Sequence, residues 1–238
     1  MKKWLFGLAT LALMALAAAL VLNGVIPLNR LSKADYPIRG VDVSHYQGDV
    51  DWDVLAAQDI RFAFVKATEG SSHVDGAFQA NWQGIAGTDL RPGAYHFFSF
   101  ESPGRAQAEH FCRTVPAVDG MLPPVADVEP YGRFRSLKDL EGAADELADW
   151  LESVEAAYGM RPVIYTTQRF YREWIGKRFA DYDVWIRSVW LPPSPSVRWT
   201  FWQYSNRGRL NGYSGPERFI DLNAFRGDAE AFEAYGRG

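Results

Sequence analysis

Eight short β-like runs recur between residues 38 and 225, most of them separated by stretches of helical character. In order they read IRGVDVS, FAFVKAT, GAYHFF, PPVADVE, PVIYTT, YDVWIRS, TFWQYS and RFIDLNAF. A strand followed by a helix pairs in parallel with the next strand through a right-handed crossover. Eight such units suffice to close a barrel, so the pattern predicts an α/β fold with a single TIM-like (β/α) barrel over residues 38–227. The clearest helix is expected over residues 136–158, where Leu137, Leu140, Leu147, Trp150, Leu151 and Val154 recur at near-helical spacing and Gly159 marks the stop. Two more are expected at residues 75–86 and 105–114. With 47% hydrophobic and 23% charged residues the chain can bury a full core.

The first residues obey a different rule. Residues 4–22 run for nineteen positions without a charge, directly behind Lys2 and Lys3. Such a segment reads as a targeting helix over residues 1–26, either a cleaved signal peptide or an anchor that attaches the protein to a membrane. In both cases the lysines stay in the cytoplasm and the remainder is exported, to the periplasm or the extracellular space. Residues 27–37, polar and bounded by Pro27 and Pro37, read as a linker, and residues 228–238 as a C-terminal tail. The single cysteine, Cys112, excludes an internal disulfide framework. A net charge of −4 offers no electrostatic footprint for nucleic acid.

In a parallel barrel, chemistry gathers at the carboxyl ends of the strands, so an acid that closes an apolar run is a site candidate. Three runs end this way: Val41-Asp42-Val43-Ser44, Val125-Ala126-Asp127-Val128-Glu129-Pro130 and Phe219-Ile220-Asp221-Leu222-Asn223. Asp127 and Glu129 are two apart on a strand and share one face. Two neighbouring carboxyls cannot both ionise cheaply, which provides an acid and a carboxylate at one pH. Asp42, ahead of Ser44 and the Gln47-Gly48 turn, fits the role of a turn or cap residue equally well. Metalloprotease, nucleotide-binding and nucleophile-elbow patterns are absent, and His45, His73, His96 and His110 show no metal-ligand spacing. Neither metal nor cofactor is expected. Glycoside hydrolysis, which needs placed carboxyls and aromatic platforms, fits best.

Five segments in order carry a family resemblance. They are Gly40-Val41-Asp42-Val43-Ser44 with Gln47-Gly48 and Asp51-Trp52, Phe64-Val65-Lys66-Ala67-Thr68-Glu69-Gly70, Gly93-Ala94-Tyr95-His96-Phe97-Phe98, Pro123-Pro124-Val125-Ala126-Asp127-Val128-Glu129, and the pair Trp202-Gln203-Tyr204-Ser205 and Ile220-Asp221-Leu222-Asn223. Together they resemble glycoside hydrolase family 25, the Chalaropsis-type lysozymes or N-acetylmuramidases. The resemblance implies an irregular, flattened barrel that acts, as a monomer, on peptidoglycan glycan strands. It implies cleavage of the β-1,4 bond between N-acetylmuramic acid and N-acetylglucosamine with retention of configuration. Carried over, Glu129 is the general acid and Asp127 assists the reacting sugar. Asp42 and Asp221 complete the acidic site, and Tyr95, Tyr165 and Trp202 line the groove. Arg187 departs from the family pattern, where a small residue is usual, and is positioned to narrow the groove or reach substrate carboxylates. Two other readings remain open on the residues alone: a catalytically silent glycan-binding protein and a chitinase-like glycosidase.

Overall fold

A computed structural model describes residues 2–23, 25, 26, 29, 31–135, 140 and 142–237. The chain opens with α1 (Lys2–Leu22) and continues through β1 (Arg39–Val43), α2 (Trp52–Ala56), β2 (Phe62–Glu69) and β3 (His73–Val74). There follow α3 (Phe78–Ile85), β4 (Arg91–Phe97), α4 (Gly104–Thr114), β5 (Val125–Asp127), α5 (Ala143–Tyr158) and β6 (Val163–Thr167). The short helical pieces α6 (Gln168–Phe170), a π turn (Tyr171–Ile175) and α7 (Gly176–Arg178) lead to β7 (Asp183–Arg187), β8 (Phe201–Gly208), β9 (Ile220–Phe225) and α8 (Ala229–Ala234).

All eight anticipated strands form, and they close into a ring in the order β1, β2, β4, β5, β6, β7, β8, β9 and back to β1. The two-residue β3 is an addition, hairpinned onto the end of β2. Every step from β1 round to β8 is parallel, but β9 runs antiparallel to both its neighbours. Uniform parallel pairing therefore fails at one strand. The connection from β8 to β9 carries no helix, so the chain turns back as a hairpin instead of crossing over. Of the helix expected over residues 136–158, α5 holds the second part and ends on Gly159 in the left-handed region, φ 66°. Residues 136–139 and 141 lie outside the described residues.

A two-residue period sorts the strands into an inner and an outer face. Inward go Phe62 and Phe64 of β2, Val125 of β5, Val163 and Tyr165 of β6, Trp185 of β7, Phe201 of β8 and Phe225 of β9, which form one buried cluster. Within it Phe64 stacks on Trp185 at 4.5 Å and Phe62 meets Phe201 edge-on at 5.3 Å. Two glycines make room for these rings. A Cβ on Gly40 would lie 2.5 Å from the Phe62 ring, and one on Gly93 2.4 Å from that of Phe64. The alternate residues, among them Val41, Val65, Ala126 and Ile164, pack outward with α2 to α5. His96 is one of these: it stacks on Trp150 at 5.4 Å and bonds Thr68 and Gln107, and burial pushes it down to about 3, so it is a neutral core residue.

The apolar layers fill the barrel from below, and the inward positions at the strand ends are polar. The lower end is closed by Arg91, whose guanidinium donates to the carbonyls of Gly120, Met121, Phe232 and Tyr235 and so holds α8 beneath the barrel. Residues ahead of β1 pack on the outer wall: Asn29 donates to the carbonyls of Ser188 and Tyr204, and Tyr36 contacts Trp199 and Trp202. Among the described residues no helix is long and apolar enough to cross a membrane. The expectation of a membrane anchor through residues 4–26 gains no support from the structure.

Candidate active site

Four strand-end carboxyls meet at the upper mouth of the barrel. Asp42 and Asp221 are directly paired across the antiparallel seam of β1 and β9, and both project inward. Asp127 is the last residue of β5, and Glu129 stands two positions on, past the end of the strand. The end of β5 is fixed from both sides: Phe98 N–H donates to the Asp127 carbonyl at 2.9 Å, and Val128 N–H to the Tyr165 carbonyl at 2.9 Å. Pro130, which has no N–H, ends the ladder. Asp42, Asp127 and Asp221 line a cavity of about 460 Å³ together with Tyr46, Lys66, Tyr95, Arg187, Arg207 and Phe219. Glu129 is half-buried beside them.

Two amides hold the seam. Gln203 Nε2 donates to Asp42 Oδ1 at 3.1 Å, to Asp42 Oδ2 at 3.2 Å and to Asp221 Oδ2 at 3.1 Å. Asn223 Nδ2 donates to Asp42 Oδ1 at 2.7 Å. Both amides are themselves oriented from below, since Tyr165 O–H donates to Gln203 Oε1 at 3.0 Å and Trp185 Nε1–H to Asn223 Oδ1 at 2.8 Å. The barrel interior thus fixes which way each amide points. Gln203 and Asn223 stand within the two C-terminal segments of the family resemblance, but the sequence assigns neither a role. The signal that finds them is parity: each is two residues from an inward neighbour, Phe201 and Asp221.

Of the aromatic residues expected in the groove, Tyr95 lines the cavity. Tyr165 lies lower, 6% exposed, as a hydrogen-bond donor within the barrel. Trp202 is not in the groove at all. It alternates with the inward Phe201 and Gln203, so its ring points out of the barrel, packs on Tyr36, Trp199 and Tyr204, and donates to the Ser188 carbonyl at 3.0 Å. The exposed ring that does reach the cavity is Tyr46, tilted against His45 at 4.1 Å.

Burial dominates the electrostatics. It pushes Asp127 well above the usual carboxylate range, and the nearby Glu129 adds to the rise while Lys66 opposes it. Asp127 Oδ1 is buried without a hydrogen-bond partner among the described residues. Glu129 is raised first by burial and then by Asp42, and Arg187 pulls it back. Asp221 is pushed well up by burial and by Asp42, whereas the donors Asn223 and Gln203 restrain the rise of Asp42. Hydrogen bonds to a charged group contribute about 1.5–3 kcal/mol each, against several kcal/mol for taking a carboxylate out of water. Desolvation outweighs the amide donors at both carboxyls of the seam, and it raises Asp221, which has fewer of those donors, further than Asp42. The site can present a protonated carboxyl and a carboxylate side by side. Among the described residues no group of three or more His, Cys, Asp or Glu side chains is arranged to hold a metal ion.

Comparison with known proteins bears on this geometry. The family model for glycosyl hydrolases family 25 matches residues 41–213. The chain is 37% identical over 209 residues to the uncharacterized protein YegX of Escherichia coli strain K12, covering 85% of this chain and 74% of that one. It is 33% identical over 209 residues to lysozyme M1 of Streptomyces globisporus, covering 81% and 69%. Its fold is similar to the solved family 25 glycosyl hydrolase from Bacillus anthracis, with TM-score 0.79, 47% identity and coverage of 87% and 96%.

The seam pair predicts a pH dependence. A carboxyl whose folded pKa lies above its ordinary 3.8 binds its proton more tightly in the folded state, so its cost to stability grows as pH rises from that value through the raised one. The melting midpoint of the wild type should therefore fall relative to that of Asp221→Asn as pH is raised through this window. A difference between the two that is independent of pH would contradict the upward shift of Asp221.

Proposed function

The chain belongs to glycosyl hydrolases family 25 and is a glycoside hydrolase, and on that premise we propose that it is an exported muramidase. Its substrate is the glycan of peptidoglycan, cut at the β-1,4 bond between N-acetylmuramic acid and N-acetylglucosamine. The observation that carries this reading is the gathering of Asp42, Asp127, Glu129 and Asp221 at one barrel mouth, with burial holding the carboxyls of Asp127 and Glu129 above their usual range.

Glu129 is the general acid. Raised by burial, its carboxyl holds a proton to higher pH than a free glutamic acid does and gives it to the leaving glycosidic oxygen. The acetamide carbonyl oxygen of the muramoyl unit then bonds to C1 as the C1–O bond breaks, forming a cyclic oxazolinium. The unpartnered Oδ1 of Asp127 suits it to accept the acetamide N–H and to stabilise that ring. Water next attacks C1 from the vacated face, Glu129 takes its proton back, and the product retains its configuration. Asp42 and Asp221, fixed by Gln203 and Asn223, bind the sugar in register. Tyr95 and Tyr46 form the wall of the groove.

Chitinase-like action and silent glycan binding are outcomes of the same test. Purified protein should release reducing ends from peptidoglycan, and Glu129→Gln should lower kcat at least about a hundredfold. Equal rates for both proteins would refute the acid assignment. Binding without turnover by either would favour a glycan-binding role, and turnover of chitin oligomers alone a chitinase-like one. Export follows from the uncharged residues 4–22 behind Lys2 and Lys3. Cell fractionation should recover the protein outside the cytoplasm, and recovery in the cytoplasm would refute this part of the reading.

A further inference from the structure

Three cations line the cavity beside the acids: Lys66, Arg187 and Arg207. Two of them are engaged. Lys66 Nζ is paired with Glu69 Oε2 at 2.7 Å, and Arg207 Nη1 donates to the Leu22 carbonyl at the end of α1. Arg187 differs. It is the last residue of β7, half-buried, on the same inward face as Trp185, and it makes no side-chain hydrogen bond or ion pair among the described residues. Yet its charge is felt by Asp42, Glu129 and Asp221, each of which it draws downward. A guanidinium so placed leaves its planar set of N–H donors available to whatever enters the cavity.

Its neighbours decide what it can bind. Whatever charge the carboxyls carry disfavours an anionic group over most of the barrel mouth, and Arg187 with Arg207 gives the cavity a cationic edge. Glu217 also lines this edge, but its Oε1 accepts from the Phe219 N–H at 3.2 Å. The planar fork of arginine matches a carboxylate with two parallel hydrogen bonds, which a hydroxyl or a lone carbonyl does not use. A muramoyl unit carries such a group on its lactyl arm. The group is a free carboxylate when no peptide is attached and an amide leading to further carboxylates when one is.

We propose that Arg187 is a specificity-determining residue that binds a carboxylate carried on the side arm of the muramoyl unit, next to the bond that is cut. This rests on the muramidase reading above. It explains how a cavity floored by acids accepts an anionic sugar, a burden that a neutral chitin-type glycan does not impose.

The test compares kcat and KM for soluble glycans in two matched pairs. One pair is peptide-free glycan with its lactyl carboxyl free or methyl-esterified. The other is peptide-bearing glycan with its stem carboxyls free or amidated. Wild type should prefer the charged member of at least one pair by about tenfold or more, chiefly through KM. Arg187→Gln should abolish that preference, and Arg187→Lys should restore part of it. A preference in the first pair assigns the carboxylate to the lactyl arm, and one confined to the second assigns it to the stem. The ratio within a pair is insensitive to any change that Arg187→Gln makes in the acidity of Glu129, because both members share that step. Turnover with the same ratio in wild type and Arg187→Gln would overturn the carboxylate site and leave the muramidase reading standing. No turnover of any glycan by the wild type would overturn both.

Discussion

Asp42 and Asp221 face each other across the antiparallel seam of β1 and β9, two acids in a place where water is scarce. Opposed carboxylates on adjacent strands are destabilising by themselves. The arrangement persists because Gln203 reaches both of them and Asn223 reaches Asp42, each with an N–H. Those amides are useful only in one orientation, which is set by Tyr165 O–H and Trp185 Nε1–H from the layer beneath. Trp185 in turn is held by its stack on Phe64, and Phe64 fits because residue 93 is glycine. The chemistry at the mouth thus rests, contact by contact, on the aromatic filling of the barrel.

Much of this could be read from residue order. Strand-end acids, parity along each strand and the alternation of strands with helices are local properties, and they located eight strands and the four acids that the mouth brings together. The reversal of β9 was not legible, because it depends on a connection that lacks a helix while its strand sequence looks like the others. Trp202 was misread for a related reason. An aromatic next to a polar motif resembles a sugar platform, but one step of parity separates Gln203 inside from Trp202 outside. The roles of Gln203 and Asn223 are not legible in their motifs because amides have no distinctive spacing. Their importance appears only once two acids from opposite ends of the chain stand opposite each other.

The same burial that makes the acids costly makes them useful. A carboxyl exposed to water would lose its proton long before neutral pH, and four ionised groups in one mouth would repel an anionic glycan. Raising Glu129 and Asp127 supplies a proton donor and lowers the negative field at once. Arg187 then sets a local limit to that rise and gives the cavity one positive edge. Its position at the end of β7 follows the same strand-end rule as the acids.

The central claim, that this mouth cuts the glycan on the reducing side of muramic acid, is tested most directly by identifying the new chain ends. Peptidoglycan digested with the purified protein, reduced with borohydride and analysed by mass spectrometry should yield fragments ending in muramitol. Fragments ending in glucosaminitol would show that the other glycosidic bond is cut and would contradict the account.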